Sequence, residues 1–169
     1  ISAVLLKEMG YKITGIFMKN WEEDDDDNNC NVADDYRDAK RVADKLGINL
    51  LTVNFSDKYW QLVFQRLIDG LRSGITPNPD IFCNKEIKFN YFYQHILSLG
   101  YDKLATGHYA RVENEDNKFK LKVANDKNKD QTYFLYMLQQ EILKNIIFPL
   151  ENITKFEVKR IAKEFDLKI

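Results

Sequence analysis

The chain has 169 residues, of which 44% are hydrophobic and 30% charged, and its formal net charge is -1. That length suits one domain with a buried core, and the near-neutral charge excludes a protein that holds nucleic acid through a global basic field. Two cysteines and two histidines exclude a disulfide framework and show no metal-ligand spacing, so we expect no metal site. No apolar run approaches a membrane span and no signal-peptide pattern is present, so we expect a cytoplasmic protein without a membrane partner.

Both ends of the chain look interrupted. It begins at Ile1 without a methionine, inside an apolar helical pattern that runs to Gly10, and it ends at Ile169 directly after another helical pattern. We therefore expect these residues to be part of a longer protein.

Short apolar strands alternate with amphipathic helices along the chain. Apolar runs predict strands at 12–18, 48–55 and 103–106. Helical spacing of apolar residues predicts helices at 34–46, from a cap at Ser56 to Leu71, and from the Cys83 segment to about Leu99. This order predicts an α/β fold in which helices cover a parallel sheet. Such sheets bind ligands at the carboxyl ends of their strands.

The segments after residue 106 predict further elements. Alternating polarity predicts a half-exposed strand at 118–123, and helical spacing predicts a helix at 131–143. Thr154 and Glu157 have the spacing of a capping box, which predicts the start of the last helix.

The segment TPNPDIFCNKEIKF, at 76–89, places a cysteine after a turn with two prolines. Pro77 and Pro79 each fix one backbone angle and bias the preceding residue toward extended geometry, so Asn78 and Asp80 are held in place. This geometry suits contacts with a ligand. It also suits an ordinary helix entrance with Asp80 near the cap.

Cys83 lies near the predicted helix start, and Lys85 and Lys88 follow it closely. A helix N-terminus and nearby cations lower the pKa of a thiol, so this setting favours a thiolate and predicts a nucleophile. Cys30 instead follows an acidic run at 22–27, where negative charge disfavours a thiolate. The acidic run could bind a cation, but consecutive carboxylates are usually solvated.

Two further segments carry polar residues at places that suit ligand contacts. Gly107 and His108 directly follow the strand at 103–106, where a glycine lets the backbone approach a ligand but also suits a plain turn. The segment NKDQ, at 128–131, precedes an aromatic run. Its lysine could neutralise a phosphate, and its Asp and Gln could read a base edge. The same residues also suit a solvated helix cap.

Four segments in this order together resemble the tRNA-specific 2-thiouridylase family, and they are FMKNWEED at 17–24, TPNPDIFCNKEIKF at 76–89, ATGHY at 105–109 and NKDQTYFL at 128–135. The resemblance implies a Rossmann-like adenine nucleotide α-hydrolase domain, also called the ATP pyrophosphatase or PP-loop fold, over residues 1–169. It also implies an ATP-dependent tRNA-uridine 2-sulfurtransferase. Such an enzyme activates the C2 oxygen of the wobble uridine by adenylation and then replaces it with sulfur.

The resemblance implies roles for individual residues as well. Met18 is expected beside the adenine of ATP, which is bound with Mg²⁺, and Gly107 is expected to approach the nucleotide. Cys83 is the expected catalytic nucleophile, and Asp80 is expected to act on the target base as an acid, as a base or as a holding group. The implied tRNA contacts are Asn78, Pro79 and Asp80 on the target base, and Lys129, Asp130 and Gln131 elsewhere on the tRNA.

The resemblance also implies a sulfur-carrier protein as a partner besides tRNA. In the family, the carrier passes a persulfide sulfur to a second cysteine. Neither that cysteine nor the family's Ser-Gly-Gly-x-Asp-Ser phosphate loop has a counterpart in residues 1–169. We therefore expect a domain truncated at both ends, with the activity in a longer parent protein. The residues alone leave open another ATP pyrophosphatase-type ligase, or a noncatalytic module that binds nucleotide or RNA.

Overall fold

Strands and helices alternate in the computed structural model, which describes residues 1–21 and 31–167. The helices are α1 (Ser2–Glu8), α2 (Asn31–Leu46), α3 (56–72), α4 (79–98), α5 (Gln140–Leu143) and α6 (Lys155–Glu164). The strands are β1 (Thr14–Lys19), β2 (Asn49–Asn54), β3 (Leu104–Ala105), β4 (Ala110–Glu115), β5 (Lys118–Val123) and β6 (Ile146–Ile147). The expectations about the acidic run at 22–27 and about Cys30 lie outside the described residues. Across the described ranges, each helix is too short or too polar to cross a membrane.

The parallel strands form two pairs. β1 and β2 run side by side, with Thr14 opposite Asn49 and Lys19 opposite Asn54. β3 and β6 form the second pair, with Leu104 opposite Ile146. The predicted parallel pairing is confirmed, and in the described part of the chain it takes the form of two separate pairs. The sequence pattern missed β6, because a strand of two residues has no periodicity to detect.

An antiparallel hairpin follows, formed by β4 and β5. Its turn residues Asp116 and Asn117 have φ angles of 51° and 63°. Asp and Asn tolerate this left-handed backbone, and two such residues in succession match the twist of a hairpin. Glu115 on β4 forms ion pairs with Lys120 and Lys122 on β5. The predicted half-exposed strand is confirmed as β5, whereas β4 escaped prediction because charged residues interrupt its apolar pattern.

The helix predicted at 131–143 is wrong. A short 3-10 helix covers Thr132–Phe134, non-helical residues follow, and α5 begins only at Gln140. The Oε1 atom of Gln131 accepts a hydrogen bond from the backbone N–H of Tyr109 at 3.0 Å. Side-chain bonds of this kind compete with helical backbone bonds, and the spacing of apolar residues does not reveal them.

Two predicted helix starts have different outcomes. Thr154 and Glu157 form the predicted capping box: Thr154 Oγ1 accepts from the Glu157 N–H at 3.2 Å, and Glu157 Oε2 accepts from the Thr154 N–H at 2.6 Å. The cap predicted at Ser56 is wrong, because Ser56 is the first residue of α3. Its own N–H donates to Asn54 Oδ1 at 2.9 Å, so the side-chain acceptor at this helix start comes from the end of β2.

Two helices contain π-helical stretches, α3 at Trp60–Phe64 and α4 at Cys83–Phe92. In a π-helix the backbone bonds join residues i and i+5, and short stretches of this kind are frequent at functional sites. The helix predicted to start at the cysteine-bearing segment is confirmed as α4.

α4 supplies much of the core. One cluster joins it to β3 and β6, and its buried members include Phe89, Phe92, Ile96, Leu104 and Ile146. A second cluster joins α4 to α3 through Val63, Cys83 and Ile87. Met18, near the carboxyl end of β1, packs against both clusters. α4 therefore connects the two parallel pairs and lies beside the carboxyl end of β1.

Candidate functional site

The double-proline turn is the capped start of α4. Asn78 is the N-cap, and its Oδ1 accepts from the N–H of Asp80 at 3.0 Å and from the N–H of Ile81 at 3.4 Å. Pro79 occupies the first helical turn, where its missing N–H costs nothing. The helix-entrance interpretation is therefore confirmed for Asn78. The carboxyl group of Asp80 is exposed, and it lies one turn before Cys83.

Cys83 begins the π-helical stretch and is only 8% exposed. It packs with Val63 and Ile87, and Met18 contacts the same cluster. Burial in these apolar surroundings raises the pKa of the Cys83 thiol, because a thiolate loses the solvation that water would give it. The predicted setting that favours a thiolate is therefore wrong as a net effect: desolvation outweighs the nearby positive charge.

The two lysines that follow the cysteine have different surroundings. Lys85 Nζ lies 3.3 Å from Glu86 Oε1, and Arg66 Nη1 lies 3.1 Å from the same oxygen. Lys88 Nζ donates to Asn84 Oδ1 at 3.1 Å. Burial raises the pKa of the thiol, and the charge of Lys88 opposes part of that rise. The charge of Lys88 therefore affects the pKa of the thiol. The charge of Lys85 is instead balanced by the carboxylate of Glu86.

Asn84 is a buried polar residue that the sequence patterns did not single out, and it is 3% exposed. Its Nδ2 donates to the backbone oxygen of Phe134 at 3.1 Å, and its Oδ1 accepts from Lys88. A buried amide is costly unless it is hydrogen-bonded, so these bonds fix the short 3-10 helix against α4. One feature of the sequence could have pointed to Asn84. It lies three residues before the apolar Ile87, on a helix face that ordinarily carries apolar residues.

His108 faces the same region from the segment after β3. Its ring packs against those of Phe89 and Phe148, with centroid distances of 5.9 Å and 6.2 Å. Its Nδ1 is 2.8 Å from Thr106 Oγ1. Burial lowers the pKa of His108 to about 4, with a further contribution from the charge of Lys88. The imidazole is therefore neutral at physiological pH.

Met18 and Gly107 lie near the carboxyl ends of strands from the two different pairs. Met18 is the second last residue of β1, and Gly107 comes two residues after β3. A Cβ on Gly107 would lie 3.3 Å from Ser2 Oγ and 3.9 Å from Leu150 Cδ1. The glycine therefore lets the backbone pass close to the start of α1, which is a structural reason for its presence.

The three residues Lys129, Asp130 and Gln131 have separate environments. Asp130 Oδ1 accepts from the Ala124 N–H at 3.2 Å, and its Oδ2 accepts from Thr132 Oγ1 at 2.6 Å. Gln131 holds the backbone next to β4 through the bond described above. Lys129 is exposed. Acceptor atoms of Asp130 and Gln131 are thus used to shape their own loop, whereas Lys129 is presented to solvent.

The described geometry joins most of the predicted residues through α4. Met18 and Cys83 share one cluster, and Lys88 acts on both the thiol and His108. The bond from Asn84 to the 3-10 helix links this site to the loop at 128–131. Within residues 1–21 and 31–167, no group of three or more His, Cys, Asp and Glu side chains could hold a metal ion.

Comparison with known proteins adds independent information. The sequence model of the tRNA methyl transferase HUP domain family matches residues 1–169. The chain is 50% identical over 167 residues to the tRNA-specific 2-thiouridylase MnmA of Bacillus licheniformis, and 53% identical over 168 residues to that of Pseudoalteromonas translucida. The MnmA of Shouchella clausii is 48% identical over 167 residues. Each comparison covers 99% of this chain, which spans only 45% to 46% of the length of these relatives.

Proposed function

Because the chain belongs to the tRNA-specific 2-thiouridylase family, we propose that it forms part of a tRNA-uridine 2-sulfurtransferase. This enzyme replaces the C2 oxygen of the wobble uridine of tRNA with sulfur in an ATP-dependent reaction. The observation that carries the proposal is the identity of 48% to 53% to relatives of that name across 99% of the chain. The shared cluster of Cys83 and Met18 supports it, since it brings the proposed nucleophile next to a proposed nucleotide contact.

ATP, bound with Mg²⁺, is the proposed cofactor, and the residues present fit its adenosine part. Met18 offers a half-buried apolar side chain near the carboxyl end of β1, and Gly107 offers exposed backbone without a Cβ after β3. Ligands of parallel sheets bind at this end of the strands. We therefore assign Met18 to the adenine and Gly107 to the close approach of the nucleotide. When bound, ATP supplies the adenylyl group that makes the C2 oxygen a good leaving group.

Cys83 is the proposed nucleophile, and the residues at the start of α4 are proposed to hold the target base. The uridine leaves its stack to reach these groups. Asn78 Oδ1 is used in the helix cap, so its amide Nδ2 is the group that we assign to the base. The exposed carboxylate of Asp80 accepts a hydrogen bond from the base or exchanges a proton with it. Pro79 fixes the backbone between these two side chains.

Transfer RNA and a sulfur-carrier protein are the proposed partners, in the cytoplasm. The exposed ammonium group of Lys129 suits one phosphate of the tRNA. Asp130 and Gln131 shape the loop that presents it, and their own contacts with tRNA use the atoms that this loop leaves over, such as Gln131 Nε2. The sulfur arrives as a persulfide on the carrier.

Replacement of Cys83 tests this proposal in the complete gene product. We expect Cys83→Ser to abolish the formation of 2-thiouridine, because a serine hydroxyl is not ionised near neutral pH and cannot replace a thiolate in sulfur chemistry. Folding, ATP binding and tRNA binding should stay close to those of the wild type. Mass spectrometry of the nucleosides from substrate tRNA measures the product, and filter binding measures the tRNA complex.

Cys30→Ser is the matched control, and we expect it to keep the wild-type rate. A folded Cys83→Ser protein with full activity would overturn the assignment of the nucleophile. A wild-type protein that makes no 2-thiouridine from tRNA, ATP and a persulfide donor would overturn the proposed function itself.

A further inference from the structure

We propose that Lys88 is a positioning residue for the thiol: its ammonium group stabilises the thiolate of Cys83, and Asn84 holds that ammonium group in place. The proposal rests on the proposed function only in treating Cys83 as the nucleophile. The chemistry is one ionisation, in which the sulfur gives up its proton to solvent and Lys88 keeps its own. The nucleophile needs this ionisation, because the thiolate is the reactive form.

The π-helical stretch at Cys83–Phe92 contains both Cys83 and Lys88. Lys88 follows Cys83 by five residues. In an α-helix, a residue five positions later points about 140° away around the axis, given 3.6 residues per turn. In a π-helix, residues i and i+5 are joined by a backbone hydrogen bond, so they are about one turn apart. The local change of helix type therefore turns Lys88 closer to the direction of Cys83 than an ordinary helix would.

Asn84 restricts where the ammonium group of Lys88 can lie. The amide is 3% exposed, its Oδ1 accepts from Lys88 Nζ at 3.1 Å, and its Nδ2 donates to the Phe134 backbone oxygen at 3.1 Å. With both ends of the amide engaged, its orientation is fixed. A long lysine side chain has many rotamers in water, so confining it costs conformational entropy, and the bond to Asn84 offsets part of that cost.

The charged groups around the thiol act in opposite directions. Burial raises the pKa of Cys83 most, Lys88 lowers it, and Asp80 on the same helix raises it. From α3, Tyr59 faces the thiol, and burial together with the charge of Cys83 raises the pKa of its hydroxyl. In His108, which contacts Phe89 of the same helix, the pKa is lowered to about 4 by burial and by Lys88, so its ring brings no positive charge. Lys88 is thus the cation that offsets the burial of the sulfur.

Thiol titration tests this proposal without any sulfur-transfer assay. The complete gene product is used with every cysteine other than Cys83, Cys30 included, replaced by serine, so that Cys83 is the remaining thiol. Ultraviolet absorbance of the thiolate against pH gives its pKa, and the rate of alkylation by iodoacetamide gives its reactivity. We expect Lys88→Met to raise the pKa of the thiol and to slow alkylation at neutral pH by about tenfold, the effect of losing one nearby opposite charge. Lys88→Arg should restore most of the rate.

Lys85→Met is the matched control, since Lys85 pairs with Glu86, and we expect it to leave the titration unchanged. Asn84→Ala should raise the thiol pKa by less than Lys88→Met, because the charge is present but less confined. If Lys88→Met fails to fold, Lys88→Gln keeps a donor for Asn84 and removes only the charge. A folded neutral variant with the same thiol pKa and alkylation rate as its background would overturn the proposal. The readout needs neither tRNA nor a sulfur donor. A failure of this proposal can therefore be distinguished from a failure of the proposed function.

Discussion

At the scale of single residues, His108 and Cys83 lie in apolar surroundings, and burial favours the neutral form of each. It raises the pKa of the thiol and lowers the pKa of the imidazole to about 4. The charge of Lys88 shifts both groups downward, so it helps the thiol to ionise while it keeps the imidazole neutral. Lys88 therefore lowers the pKa of both the Cys83 thiol and the His108 imidazole. Both effects suit a sulfur nucleophile beside an uncharged ring.

The depressed pKa of His108 predicts a loss of stability in acid. The folded-state pKa is about 4, against 6.5 in an ordinary setting. Above pH 6.5 the ring is neutral in both states, and its contribution to the free energy of unfolding is fully present. As the pH falls from 6.5 toward 4, His108 becomes protonated in the unfolded chain but stays neutral in the folded chain. The free energy of unfolding should therefore fall by up to about 3 kcal/mol across this window.

Urea unfolding at neutral pH and near pH 4 measures this effect. We expect His108→Gln to remove this part of the pH dependence. His95→Gln is the control, because His95 packs edge-on to Phe55. We expect this variant to keep the pH dependence of the wild type. Equal pH dependence in the wild type and in His108→Gln would contradict the prediction.

At the scale of elements, the loop between β5 and α5 is built from side-chain bonds and is helical over only three residues. Asp130 holds the N–H of Ala124 and the hydroxyl of Thr132, and Gln131 holds the N–H of Tyr109. Satisfied, partly buried acceptors of this kind rigidify a loop. The loop can therefore present Lys129 from a fixed backbone, although its sequence reads as the start of a helix.

The adjacent positions Lys129 and Asp130 should differ in their effects: Lys129 should matter for tRNA binding but not for stability, whereas Asp130 should matter for stability as well. In the complete gene product, Lys129→Ala should weaken tRNA binding and reduce the salt dependence by about one phosphate contact, because one lysine neutralises one phosphate. Its free energy of unfolding should change by less than about 0.5 kcal/mol, as is usual at exposed positions. Filter binding over a series of salt concentrations and urea unfolding measure the two quantities.

Asp130→Ala is the contrasting variant, and it removes the acceptors for Ala124 and Thr132. We expect it to lower the free energy of unfolding by about 1–3 kcal/mol, since a donor in a partly buried place loses its partner. An unchanged salt slope in Lys129→Ala would mean that this lysine is only part of a solvated loop.

At the scale of the whole molecule, α4 is the element on which the two parallel pairs depend. Its buried side chains pack against β3 and β6 on one side, while Cys83 and Ile87 pack against α3. Phe89 is 1% exposed, and its ring also contacts that of His108. The helix that carries the proposed nucleophile is thus a core helix, so the site is placed by the packing of the whole domain.

Truncation of Phe89 should show this dependence. We expect Phe89→Ala to lower the free energy of unfolding by about 3–5 kcal/mol, because it leaves a cavity between α4 and the second strand pair. Phe156→Ala, at a phenylalanine that is 78% exposed, should change it by less than about 0.5 kcal/mol. Thermal and urea unfolding of both variants measure the difference, and equal losses would contradict the assignment of Phe89 to the core.

The sequence by itself determined the features whose causes are local. The helix predicted at 34–46 is present as α2, and the capping box of Thr154 and Glu157 forms as its spacing indicates. The family motifs are local as well, and they led to Cys83 and its neighbours as proposed site residues without any knowledge of packing. These features depend on residues a few positions apart, so a sequence pattern contains all that is needed to find them.

Only the tertiary structure decided the environment of the site. Asn84 and Phe134 are 50 residues apart in the chain, and no local sequence pattern predicts the hydrogen bond between them. The raised pKa of the Cys83 thiol is likewise a result of burial under residues from α3 and β1, whereas the sequence showed only the nearby lysines. Solvation and long-range hydrogen bonds depend on which segments meet in space, and that is set when the whole chain packs.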